Sequence, residues 1–117
     1  MKTLSFDDLS RAELLKLIRR KLLLVSQADL LWAQWEAATE ETNRLFDASC
    51  EASLRHIAAM EAHHKSTYGT AASAKLLQAF ATAKQADMAA RRRFEAAERR
   101  QERLYGAWKA AWEAGHA

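Results

Sequence analysis

Leu76-Leu77-Gln78-Ala79-Phe80-Ala81-Thr82-Ala83-Lys84-Gln85-Ala86-Asp87-Met88-Ala89-Ala90-Arg91-Arg92-Arg93-Phe94-Glu95-Ala96-Ala97-Glu98-Arg99-Arg100-Gln101-Glu102-Arg103-Leu104-Tyr105-Gly106-Ala107-Trp108-Lys109-Ala110-Ala111 decides the fold. Leu76, Phe80, Ala83, Asp87, Ala90, Phe94, Ala97, Gln101, Leu104, Trp108 and Ala111 alternate four and three apart, the spacing of a coiled-coil seam. A strand would alternate every second residue, and nothing here does. The alanines at 83, 90 and 97 let a second backbone approach closely, whereas Asp87 and Gln101 are polar on the seam and predict a role in setting register or oligomeric state.

Upstream of this run the chain has no proline and no glycine before Gly69. Helix interiors exclude proline, which lacks the backbone donor, and glycine costs about 1 kcal/mol there, so this absence predicts one long helix. Ser10-Arg11-Ala12-Glu13 has the capping-box spacing and starts it near residue 11. Leu14, Leu17, Ile18, Leu22, Val25, Ala28, Leu31, Trp35, Ala38, Leu45, Ala52 and Ile57 carry the apolar pattern onward. Ser26-Gln27-Ala28-Asp29 imitates a second cap, but the alanines and leucines around it favour continuation. The helix ends near 66, Ser66-Thr67-Tyr68-Gly69-Thr70 forms the turn, and the second helix covers about 71–114, with Gly115 ending it.

The predicted fold is therefore all-α, a single domain over 1–117 built as a long antiparallel helical hairpin. A turn centred on residue 68 makes facing residue numbers sum to about 136. Phe80 then meets His56, Leu104 approaches Trp32, and the arginines from Arg91 to Arg103 run beside Glu36, Glu40 and Glu41. At 1.5 Å per residue the arms are roughly 84 and 66 Å long, so residues 11 to about 22 have no helix opposite. That overhang holds Leu14, Leu15, Leu17 and Ile18 beside Lys16, Arg19, Arg20 and Lys21, then Leu22-Leu23-Leu24-Val25, apolar all round. Such a surface is rarely left in water. It folds back as a third helix, docks on a second copy in a bundle, or receives a different protein.

Half the residues are hydrophobic and 28% charged, which is the composition of a folded chain, but much of the apolar share is alanine and predicts a thin core. The net charge of +3 is too small to select nucleic acid by itself. One cysteine, Cys50, makes no internal disulfide, and Asp7, Asp8 and Glu13 interrupt any export signal. The expected setting is cytoplasmic, without a membrane span.

No nucleophile–base pair, glycine-rich phosphate loop or paired carboxylates is recognisable, so the expectation is a non-enzyme without cofactor. It is a protein-interaction module, an adaptor, assembly chaperone or small inhibitor, that binds another protein or itself through Leu14, Leu17, Ile18, Leu22 and Trp32, with Arg19 and Arg20 as flanking charge. Trp35 and Trp108 fill the core, and Trp32 and Trp112 are left for an interface. The alternative is nucleic-acid binding through Arg91, Arg92, Arg93, Arg99, Arg100 and Arg103, against which Glu95, Glu98 and Glu102 are interspersed. A weaker one is a metal-binding dimer at His56, Glu61 and His64, where Glu61 and His64 have the Glu-x-x-His spacing of di-iron bundles.

In outline the hairpin is similar to the small secreted WXG-type proteins. Thr67-Tyr68-Gly69-Thr70 lacks their Trp-x-Gly turn, and Lys109 stands four residues after Tyr105 where their export signal has an acid, so no family is assigned.

Overall fold

The computed structural model describes residues 10–116. Helix α1 spans Arg11–His64 and helix α2 spans Ala71–Gly115, and they pair as an antiparallel hairpin. Two compact units divide it: one joins residues up to Glu36 with those from Glu102 onward, and the other is Ala37–Gln101.

Ser10 caps α1 as its spacing predicts. Its Oγ accepts the Glu13 N–H at 3.3 Å and its carbonyl accepts the Leu14 N–H at 2.9 Å, and Glu13 adds a favourable acid to the first turn. The helix runs unbroken through Ser26, because Ala28 two residues on is 3% exposed on the seam and packing there overrides the cap-like spacing. Residues 11–25 thus continue α1 and do not form the third, folded-back helix that was one expectation for the overhang.

In the second unit the connection begins at 65, not 66. Lys65 N–H still donates to Glu61 O and Ser66 N–H to His63 O, both at 3.1 Å, so these two residues stay along the axis of α1. The chain reverses over 67–70, where Gly69 takes φ +81°. Thr70 then caps α2, its Oγ1 accepting the Ser73 N–H at 3.1 Å.

This off-centre reversal displaces the register by one helical turn. Ser53 bonds Asp87 (2.7 Å), Thr39 accepts from Gln101 (2.9 Å) and Phe46 packs on Phe94 (5.4 Å between centroids), pairs whose numbers each sum to 140 rather than 136. In the first unit Trp32 meets Trp108 (4.8 Å) and Trp35 meets Tyr105 (6.2 Å), with the same sum. His56 nevertheless packs on Phe80 (5.3 Å), as the sequence register required, and Phe80 also stacks on His63 (6.4 Å).

All eleven residues of the α2 seam are buried or half-buried. The seam of α1 is more polar than its apolar pattern suggests. One of its covered stripes is Ala28, Trp35, Thr42, Ser49, His56 and His63, seven apart, beside the apolar stripe Leu31, Ala38, Leu45, Ala52 and Ala59, while Ile57 is 47% exposed because the first stripe passes through His56 instead. Among the described residues the buried hydrophobic side chains are Ala28 and Ala38, and Thr42, Ser49, Ser73 and Asp87 are buried beside them. A core this thin holds because its polar groups are satisfied: Thr42 Oγ1 donates to Ala38 O at 2.7 Å, and no buried side-chain N or O among the described residues lacks a partner.

Candidate interaction surface

In the first unit α2 ends against α1 at a defined point. A Cβ placed on Gly115 would lie 3.6 Å from Val25 Cγ2 and 3.8 Å from the Leu24 carbonyl carbon. N-terminal to Leu24 no described residue of α2 stands opposite α1, so the overhang is about two residues longer than the sequence register gave. Leu17 is 47% exposed, Ile18 53%, Leu22 60% and Leu23 69%. Leu14 is half-buried, and Arg19 and Arg20 are exposed.

The overhang keeps the phase of the seam. Leu17, Leu24, Leu31 and Ala38 follow seven apart, as do Leu14, Lys21 and Ala28. At 100° per residue, Leu24, Leu17, Leu14, Val25, Ile18, Leu22 and Leu15 spread over about 180° of the helix with Lys21 and Arg11 among them, and Arg19, Leu23, Lys16 and Arg20 occupy the remaining side. Among the described residues, the geometry leaves there a broad apolar face of α1 with no residue of α2 opposite and cations at its edges.

An aromatic ladder adjoins it in the same unit. Trp32 packs on Trp35 and Trp108 (4.8 Å each), Trp108 on Trp112 (6.4 Å), and Trp112 stacks on His116 (4.2 Å, 15°). Trp35 and Trp108 are half-buried, whereas Trp32 is 37% and Trp112 45% exposed, the division their stripes predict. Trp32 Nε1–H donates to Glu36 Oε1 at 2.6 Å. His116 escaped the sequence reading because it lies beyond the seam; its i+4 distance from Trp112 is the signal that carries it.

The arginines behave differently. Arg91, Arg92, Arg93, Arg99 and Arg100 are exposed in the second unit and Arg103 in the first. The expected row of acidic partners across the hairpin is not assembled: Glu36 binds Trp32, and Glu41 binds Arg44 on its own helix through Nε (3.0 Å) and Nη2 (2.5 Å). The Arg44 hydrogen bonds hold the Glu41 carboxyl below the usual carboxylate range, with the Arg44 and Arg100 charges contributing, because α1 places Arg44 within reach before any residue of α2.

Asp87 anchors the second unit. Its carboxylate accepts from Ser53 Oγ (2.7 Å) and His56 Nδ1 (2.9 Å), and Arg91 Nε lies 3.4 Å away. The Ser53 bond first, then that of His56 and the Arg91 charge, hold the carboxyl below its ordinary value. Ser53 donates to the Asp87 carboxylate and not to His56, so the three lack the serine–histidine hydrogen bond of a Ser-His-Asp triad. His56 is committed to Asp87, and among the described residues no three His, Cys, Asp or Glu side chains converge on a metal position; Glu61 and His64 are exposed. Cys50 is exposed. No described helix is long and apolar enough to cross a membrane.

Comparison with protein families, characterised proteins and solved structures finds no match to this chain.

Proposed function

We propose that the protein is a non-catalytic interaction module that captures another protein on the overhang of α1, through Leu14, Leu17, Ile18 and Leu22, with Trp32 and Trp112 extending the surface and Arg19 and Arg20 at its edge. The observation that carries this reading is an exposed apolar face on the overhang of α1: Leu17 is 47%, Ile18 53% and Leu22 60% exposed where no described residue of α2 stands opposite. Exposed apolar area of this kind marks interaction sites, and tryptophan and arginine are the residues that most often dominate them. The arginine alternative has less in its favour, since Arg91 leans on Asp87 and the Arg100 charge acts on Glu41.

A photo-crosslinking residue at position 22 tests the reading in the cell of origin, with position 54 as control, because Leu54 is an equally exposed leucine (67%) outside the overhang. Discrete protein adducts from 22 and none from 54 are expected. The same adducts from both positions, or none from 22, refute it.

A further inference from the structure

We infer that matched pairs across the seam form a register lock, which holds α1 and α2 in one of several alignments open to them, with Asp87 as its decisive member. One row of α1 reads Thr39, Phe46, Ser53 and Met60 at seven-residue steps, and the row of α2 that meets it reads Gln101, Phe94, Asp87 and Phe80. In the second unit like meets like along these rows. Thr39 accepts from Gln101, Phe46 packs on Phe94 and Ser53 donates to Asp87, while Met60 and Phe80, both half-buried, stand at the same sum of 140. In the first unit Trp32 on Trp108 continues the alternation. Apolar and polar pairs therefore repeat every fourteen residues, twice the period of the seam itself.

The doubled period is what excludes a slip. The neighbouring stripe of α2 holds Ala83, Ala90 and Ala97, which read the same after a shift of one heptad and so choose no register. The paired rows do choose. A shift of one heptad sets Asp87 against Phe46 or Met60, and Phe94 against Thr39 or Ser53. The carboxylate, 3% exposed, then loses the Ser53 and His56 donors and keeps only Arg91, which travels with it on α2. A buried carboxylate stripped of its donors is strongly destabilising, and this penalty falls on the wrong alignments alone. A shift of fourteen residues restores the matches, but it moves the turn by seven residues and drops two of the five pairs.

Register has a further consequence. In the first unit the same sum sets Gly115 beside Val25, and so fixes how much of α1 is left uncovered. A slip of one heptad changes that length by about 10 Å.

The test reads register as a distance in the full chain. Spin labels on Cys50 and on Gln78→Cys, both exposed positions, lie about 18 Å apart along the hairpin, and a heptad slip alters this by about 10 Å. Asp87→Phe with Phe94→Asp reverses the row of α2, and pulsed electron spin resonance is expected to show the distance displaced by about 10 Å. Adding Phe46→Ser and Ser53→Phe reverses the row of α1 to match, and is expected to restore the original distance. An unchanged distance in the first variant overturns the inference, because the turn alone then sets register. Unfolding of the four-residue variant, or a displaced distance in it, overturns the inference as well, because matching is then not what aligns the helices. Loss of helicity in the first variant, recovered at the original distance in the second, supports the lock.

Discussion

Replacing Trp108 with alanine removes the ring at the centre of the aromatic ladder, which touches Trp32, Tyr105 and Trp112. Trp108 is half-buried, so about 150 Å² of its surface is covered. At about 25 cal/mol/Å² this comes to about 4 kcal/mol. Burial already present in the unfolded chain lowers that to about 3 kcal/mol. In a hairpin each residue contacts only those across from it and one turn away, so the loss should be local to its own unit. Amide hydrogen exchange followed by NMR reads this directly. Exchange should rise by about a hundredfold at protected amides in 28–36 and 104–112. It should change little at 42–60 and 80–97. Equal acceleration in both regions would mean that the hairpin opens as one cooperative body, and would refute the local argument.

Two further outcomes follow from single positions. Asp87 has a folded value below its unfolded one, so its contribution to stability is complete above about pH 4, the unfolded value, and is lost as pH falls through the lower folded value. Urea midpoints across the acid range should fall more steeply for the wild type than for Asp87→Asn, and parallel profiles would remove Asp87 from the acid response. Glycine replacements should have opposite signs at Gly69 and Gly106, although neither has an atom within 4 Å of an added Cβ. Gly69→Ala costs about 1 kcal/mol, because alanine resists a positive φ. Gly106→Ala gains about 0.5–1 kcal/mol, because the position is helix interior. Thermal unfolding compares the two, and a shift of the same sign in both excludes backbone conformation as the cause.

The sequence by itself determined the secondary structure and the inward face of α2. Proline exclusion and the position of Gly69 are local steric facts, and a four-three run of eleven residues has only one face to bury, so Leu76 to Ala111 could be placed without a partner in view. The existence of an overhang followed too, from the unequal arms. Tertiary structure decided the rest. Register depends on where the chain reverses, and the hydrogen bonds that keep Lys65 and Ser66 on the axis of α1 moved pairs such as Ser53–Asp87 and Thr39–Gln101 by a turn. The seam of α1 was only half legible, because Thr42, Ser49 and His56 are polar in isolation: Thr42 is satisfied by the Ala38 carbonyl of its own helix, whereas His56 is satisfied only when Asp87 of α2 lies opposite. The same dependence on a partner governs the candidate site: the leucines at 17 and 22 read as apolar in any context, but whether they were core or surface was fixed by the point at which Gly115 meets Val25.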